Sequence, residues 1–252
     1  MTKPRTKLVA VVVVLLLLAA CSYGQTEEFE QANRFYQDKD YESAIRLYQA
    51  IVDQGLESAN LYYNLGNACF KSGDLGHAVL YYHKARRLAP DDRDIADNLE
   101  FARQFSRIQM EGVTLNPVSS FFADLVGPYH LDTLAWISSA LFVLLMAFLS
   151  FRYGLGIATA WSRGVVTMLV TLLIVSAGLT TFKYRHDYLT RRAVIIAEEC
   201  TVRTGPSEQS DVELEGAPGL VVQVLSERSD FYHVLFENKR RGWVKKDLLA
   251  EI

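Results

Sequence analysis

Apolar residues gather along this chain in three uncharged blocks, Leu8 to Ala20, Thr133 to Phe151 and Gly164 to Phe182, separated by stretches where apolar and polar positions alternate. The first block has 13 residues, about 20 Å of helix, well short of a ~30 Å hydrocarbon core. Lys3, Arg5 and Lys7 precede it and small residues close it, so residues 1–20 read as an export signal peptide. The second and third blocks hold 19 residues each, bounded by Asp132, Arg152, Arg163 and Lys183, and each suffices to cross a bilayer. Joined by the 12-residue loop 152–163, they predict a transmembrane hairpin of helices 133–151 and 164–182. Ser139, Ala177 and Gly178 are the small residues expected to permit close approach.

Between the first two blocks the pattern is helical and repeats itself every 34 residues. "DKDYESAIRLYQAIV" from Asp38 aligns with "SGDLGHAVLYYHKAR" from Ser72, matching Asp40 to Asp74, Ala44 to Ala78 and Tyr48 to Tyr82. The second copy carries Leu65, Gly66, Ala68, Phe70, Gly73, Asp74, Ala78, Tyr82, Ala85 and Pro90, a spacing that resembles the tetratricopeptide repeat. Gly66 and Ala78 are small where paired helices cross, Tyr82 fills the space beside them, and Pro90 ends the second helix. The repeat-packing set is therefore Leu65, Gly66, Ala68, Ala78, Tyr82, Ala85, Pro90, Ala44 and Tyr48. The domain is expected over 26–110, with repeats at about 26–57 and 59–92 and a capping helix at 92–108 whose stripe is Leu99, Ala102 and Phe105. The first copy is more degenerate, with Ala32 at the glycine position and Lys39 at the turn.

Stacked repeats leave a concave groove, and the resemblance implies that it binds peptides or partner proteins. Candidate groove residues are Asn33, Tyr63, Asn64, Asn67, Phe70 and Lys71. Asn33 and Asn64 match the asparagines of the carboxylate clamp in some family members, but Phe29, Asp94 and Asn98 stand where that clamp has basic residues. A desolvated carboxylate would lack compensation there, so a C-terminal carboxylate is not the expected ligand. For any single candidate, a place partly in the core or on a solvated face is the competing reading.

From Ala193 the period shortens to that of strands broken by Gly, Pro, Ser and Asp turns, giving a small barrel over 193–252. "TVRTGPS", the glycine before "LVVQVL", "FYHV" and "GWV" together resemble the bacterial SH3-like domain. That resemblance implies binding of cell-wall peptide or of proteins, with Arg203, Tyr232 and Trp243 as surface residues. Trp243 in the core is the alternative.

The fold class that results is a multi-domain membrane protein: all-α tetratricopeptide-type repeats, a two-helix transmembrane hairpin and a small all-β SH3-like barrel. A length of 252 residues suits several small units better than one large core. "LAAC" at Leu18 to Cys21 resembles the bacterial lipobox, implying a lipid on Cys21; cleavage after Gly24 is the other reading. The remaining Cys69 and Cys200 do not make a disulfide framework and are expected to be buried, inert thiols. A net charge of −3 without like-charge runs argues against a nucleic-acid partner. With no Gly-rich phosphate loop, paired metal spacing or nucleophile elbow, no cofactor, metal or catalytic residue is expected, and the chain does not read as an enzyme.

An exported N-terminus and two spans put both soluble modules outside the cytoplasm. The 44 residues between Arg107 and Arg152 hold no Lys or Arg, which suits the first span, whereas Lys183, Arg185, Arg191 and Arg192 after the second favour the inside. The order of signal, repeats, paired spans and SH3-like module resembles the Bacteroides aerotolerance protein BatE family. That resemblance implies a scaffold in the bacterial inner membrane with both domains periplasmic, partnered by von Willebrand A-domain proteins and a MoxR-type ATPase in stress tolerance. A cell-wall sensor or tether, with the barrel on peptidoglycan, is the alternative.

Overall fold

The computed structural model describes residues 27–105, 122, 125–156 and 159–252; the expected signal peptide 1–20, Cys21 and most of the segment 106–124 lie outside the described residues. Five short helices open it: α1 (27–37), α2 (Tyr41–Asp53), α3 (Ala59–Ser72), α4 (Leu75–Leu88) and α5 (Arg93–Arg103). Their caps recur with the same period as the core. Asp40 and Asp74 accept Ser43 N and His77 N at 3.1 Å each, while Ser58 and Asp92 cap α3 and α5, so each of these helices has a first-turn amide satisfied by its cap side chain. Gly73 ends α3 at φ +92°, a left-handed cap that glycine takes without strain. Lys39 sits at the equivalent turn with φ 63°, which is the physical cost of the degenerate first copy.

The repeat core joins Ala32, Ala44, Tyr48, Leu65, Ala68, Ala78, Tyr82 and Ala85 with Ile95, Leu99 and Ala102 of α5. Gly66 is required here, because a Cβ would lie 2.8 Å from the Tyr82 ring. The cap stripe differs from expectation. Ile95 takes the third buried place with Leu99 and Ala102, and Phe105 falls beyond the end of α5, more than half exposed. The reason is length: α5 stops at Arg103, so the next turn that would carry Phe105 inward is not made.

Two long helices follow, α6 (Leu131–Gly154) and α7 (Ala160–Tyr184), both apolar enough and long enough to cross a membrane. They pack antiparallel through hydroxyls. Ser138 Oγ lies 2.7 Å from Ser176 Oγ and 3.2 Å from Thr180 Oγ1, and Thr180 also donates to Ser176 O. Ser139, Ala177 and Gly178 are exposed and a Cβ on Gly178 would touch nothing, so the small residues named from sequence are not the contact. Ser138 of α6 and Ser176 and Thr180 of α7, each within two residues of an expected position, carry it instead, because period 3.6 places Ser176 and Thr180 on one stripe and Ala177 and Gly178 on another.

A short π-helical turn, Arg185–Leu189, leads into seven strands: β1 (Arg192–Ile195), β2 (Cys200–Arg203), β3 (Val212–Gly216), β4 (Val221–Arg228), β5 (Phe231–Leu235), β6 (Arg241–Lys245) and β7 (Leu249–Glu251). They form one antiparallel sheet of order β3-β2-β6-β5-β4-β1-β7, with bulges at Val202/Arg203 and Val224/Ser226 that help it curl. Ala193, Ile195, Val202, Val222, Val234 and Val244 line its inside.

The barrel docks on α4. Alternate residues of β1 enter two cores: Ala193 and Ile195 face the barrel interior, while Val194 and its neighbour Ile196 pack with the repeats, joined by Val221, Ala250 and Ile252. Gly76 of α4 meets this edge so closely that a Cβ would sit 2.6 Å from Ile196 Cα. Arg103 Nη2 to Glu237 Oε1 at 2.9 Å and Arg87 Nη1 to Ile252 O at 3.2 Å flank the contact. The end of the hairpin away from its short loop is held to the same body, with Arg87 over the Tyr188 ring and His130 Nε2 3.4 Å from Asp91, while Lys183 Nζ ties the two flanks of that end together at 2.9 Å from Asp187 and 3.4 Å from Gly127 O.

Candidate functional site

Helices α1, α3 and α5 share a face along which their asparagines interlock. Asn33 Oδ1 accepts from Tyr48 OH at 2.6 Å and from Asn64 Nδ2 at 3.0 Å. One repeat later, Asn67 Oδ1 accepts from Tyr82 OH at 2.7 Å and from Asn98 Nδ2 at 2.9 Å. Asn98 Nδ2 also reaches Tyr63 OH at 3.0 Å. Burial pushes the Tyr48 hydroxyl up to about 12 and Tyr82 higher still, so both stay protonated as donors. Asparagine at these positions thus orients helix against helix while itself half-buried.

The six groove candidates share this face to different degrees. Asn33, Asn64 and Asn67 are joined as above, and the Tyr63 ring rests 6.1 Å from Tyr82. Phe70 joins Phe101 and Phe105 in a cluster with centroids 5.6, 5.6 and 5.1 Å apart. Lys71 is exposed. The sequence reading set Asn98 only against the carboxylate clamp, not among the groove residues, and did not name Phe101. The 34-residue period held the signal for Asn98, which repeats Asn64 as Asn67 repeats Asn33; Phe101 sits on the helix read as a mere cap. Replacing Asn67 by alanine leaves the buried Tyr82 hydroxyl and Asn98 without their shared acceptor. The expected loss is about 1–3 kcal/mol in urea denaturation, whereas a change at exposed Lys71 is expected to be neutral.

On the barrel, Arg203 and Trp243 are register partners across β2 and β6, and Trp243 stacks on His233 of β5 at 4.8 Å and 17°. Arg203 Nη1 donates to Ser210 O at 2.8 Å, steadying the loop after β2. Tyr232 does not join them. Registered against buried Val244, it turns toward the core side; its ring lies between Arg191 and Lys246, and its hydroxyl is 3.0 Å from Glu251. The three residues named together from sequence therefore divide between the two sides of the sheet.

Burial raises the Cys69 thiol far above its usual range and the Cys200 thiol to about 12, which leaves both un-ionised and without nucleophilic character. Among the described residues no group of three or more His, Cys, Asp or Glu is placed to hold a metal ion.

Residues 29–93 match the family model described as Tetratricopeptide repeat, and residues 197–251 match the one described as Bacterial SH3 domain. A search of curated proteins gave no match. The class so defined is a two-module interaction protein carrying two apolar helices of membrane-spanning length, with modules that are typically non-catalytic. The SH3 match begins after β1, so the strand that shares both cores lies outside the matched module.

Proposed function

We propose that the protein is a membrane-anchored scaffold of a bacterial envelope complex, performing no covalent chemistry, with the α1–α3–α5 face as its protein-binding groove. The observation that supports this most is that the barrel docks on α4 through β1, while the asparagines of α1, α3 and α5 bond to residues of the repeats and not to the barrel. The hairpin α6–α7 spans the inner membrane, and Cys21 carries a lipid. Because the barrel and the repeats share a core, a spanning hairpin requires both on one side, outside the cytoplasm. The basic flank after α7 is compatible with that side: Lys183 pairs with Asp187, Arg191 with Glu251 at 2.6 Å, and Arg192 is partly buried. On the resemblance in module order, the partners are von Willebrand A-domain proteins and a MoxR-type ATPase in tolerance of oxidative or envelope stress.

The second reading, a tether to peptidoglycan, draws on the outward Arg203, Trp243 and His233 of the barrel. Two measurements separate them. Detergent-solubilised protein is expected to retain neighbouring membrane proteins in a pull-down and to stay in the supernatant with purified sacculi. Sedimentation with sacculi that depends on residues 193–252 would defeat the scaffold-only account. Reporter fusions active only outside the cytoplasm are expected to work before the hairpin and at the C-terminus, and to fail in loop 152–163; activity in that loop alone would overturn the orientation.

A further inference from the structure

Gly76, Leu80, His83 and Arg87 fall within about 60° of one another around α4, so they share one stripe. Both ends of that stripe touch the barrel: Gly76 lies against Ile196, and Arg87 donates to Ile252 O at 3.2 Å. Leu80 is buried in the cluster that also holds Val194 of β1. His83 therefore stands in the middle of the surface on which the barrel docks. Its Nε2 is sealed from water and has no hydrogen-bond partner among the described residues, a state that buried polar atoms rarely keep.

The charges around the ring oppose a proton as much as the packing does. Arg86 of α4 itself, Arg103 of α5 and Arg192 of β1 all act on it. The neighbouring carboxylates serve those cations instead: Glu237, in the turn after β5, pairs with Arg103 at 2.9 Å and acts on Arg192, and Asp187 of the π-helical turn pairs with Lys183 at 2.9 Å and acts on Arg192. A neutral imidazole can keep its hydrogen on Nδ1 and leave a lone pair at the sealed Nε2, but in the imidazolium both nitrogens are donors. A second proton would put an N–H into a closed space without an acceptor, beside three guanidiniums. An element covering Nε2 must then move. Helix α5 is tied into the repeat core through Ile95, Leu99 and Ala102, whereas β1 reaches α4 from the other module, so the barrel is the part that can leave.

We propose that His83 is a proton-operated latch between the two modules: neutral, it lies under the docked barrel, and on taking up a proton it drives β1 off α4. Release bares an apolar strip of Val194, Ile196, Val221 and Ala250, so acid turns one rigid body into two linked modules with a new face exposed. The latch needs only the docking contact and holds whether the protein is a scaffold or a tether. The covered ring is held down to about 3, and the uncovered ring returns toward the ordinary 6.5. Docking is therefore whole above about pH 6.5, weakens as pH falls through that value, and stops weakening near pH 3. Between pH 7 and pH 5 full linkage favours release about 25-fold, and water at the open edge of this half-buried residue reduces that to about fivefold.

Val194→Cys puts a thiol at a fully buried position between the modules, while the native Cys69 and Cys200, in the repeat and barrel cores, mark the opening of each module itself. Ala250→Cys on β7, packed against the same repeat core, is the second reporter. The detergent-solubilised full chain is labelled with 4,4′-dithiodipyridine at pH 7 and pH 5, and mass spectrometry resolves the sites. Each rate is divided by that of an exposed Lys239→Cys thiol, which removes the pH dependence of the reagent. The reporter thiol is expected to react faster than Cys69 and Cys200 at both pH values, and its normalised rate to rise about fivefold at pH 5. His83→Leu and His83→Gln, neither of which titrates, should lose that rise, since all other histidines and carboxylates are common to the three proteins. Three results would overturn the latch: no rise at pH 5, the same rise in both His83 variants, or reporter thiols that react no faster than Cys69 and Cys200, which would mean that the barrel leaves α4 only when a module unfolds.

Discussion

Gly76→Ala is expected to release the barrel from the repeats while leaving each module folded. The added Cβ would lie 2.6 Å from Ile196 Cα, 2.7 Å from its O and 2.9 Å from its carbonyl carbon. All three are backbone atoms, so no side-chain rotation relieves the contact, and β1 must move as a whole. Overpacking of this kind costs typically 1–3 kcal/mol, and a rigid backbone neighbour puts this site toward the upper end. Alanine returns about 1 kcal/mol of helix propensity to α4, which stabilises the helix and does nothing for docking. The balance falls on the interface: the flanking contacts, Arg103 to Glu237 and Arg87 to Ile252 O, are exposed and worth little. Spin labels on exposed Asn60 and Lys239 should report one narrow distance in the parent and a broad distribution in Gly76→Ala. Gly178→Ala, where a Cβ touches nothing, serves as the neutral control. A narrow distance retained in Gly76→Ala would mean that β1 does not share its core with α4.

This docking shows where sequence reading succeeded and where it stopped. The repeats and the barrel were legible because their signals are local: cap residues, small residues at crossings and strand alternation each act within one or two turns. Asp40 and Asp74, or Gly66 against Tyr82, need no knowledge of the rest of the chain. Docking is a contact across more than a hundred residues, and its only local trace is the uninterrupted run Ala193 to Ile196. An edge strand with one wet face should alternate, and a continuous apolar run marks a strand covered on both faces. Gly76 carried no trace, since a glycine early in a helix also reads as tolerance. In the hairpin the error was one of phase. Ser138 and Ser139 are equally small, and only the facing helix decides which hydroxyl meets Ser176. In the groove, Asn98 was weighed against a clamp it does not form, although its repeat position already tied it to Asn64.

His83 on α4 is expected to make the soluble body lose stability as pH falls from 7 to 5. Its Nε2 is sealed from water and has no hydrogen-bond partner among the described residues, and desolvation, helped by Arg103, Arg86 and Arg192, holds the imidazole down to about 3. The neutral ring is the folded form, while the unfolded chain takes up a proton near the ordinary 6.5. Stability from this group is therefore whole above about pH 6.5, declines below it as the unfolded state gains the proton, and stops declining near pH 3. Full linkage amounts to about 1.4 kcal/mol per pH unit, or about 2 kcal/mol at pH 5. The residue as a whole is only half-buried, and water at its open edge reduces the expected loss to about 1 kcal/mol. His83→Leu removes the titrating group and keeps a good helix former in α4. Urea denaturation of parent and variant at pH 7 and pH 5 isolates it, since the carboxylates that also titrate in acid are common to both. The gap between the two proteins should shift in the variant's favour by about 1 kcal/mol on going to pH 5. An unchanged gap would show that His83 takes up its proton in the folded chain as readily as in the unfolded one, so that α4 is not closed over its Nε2.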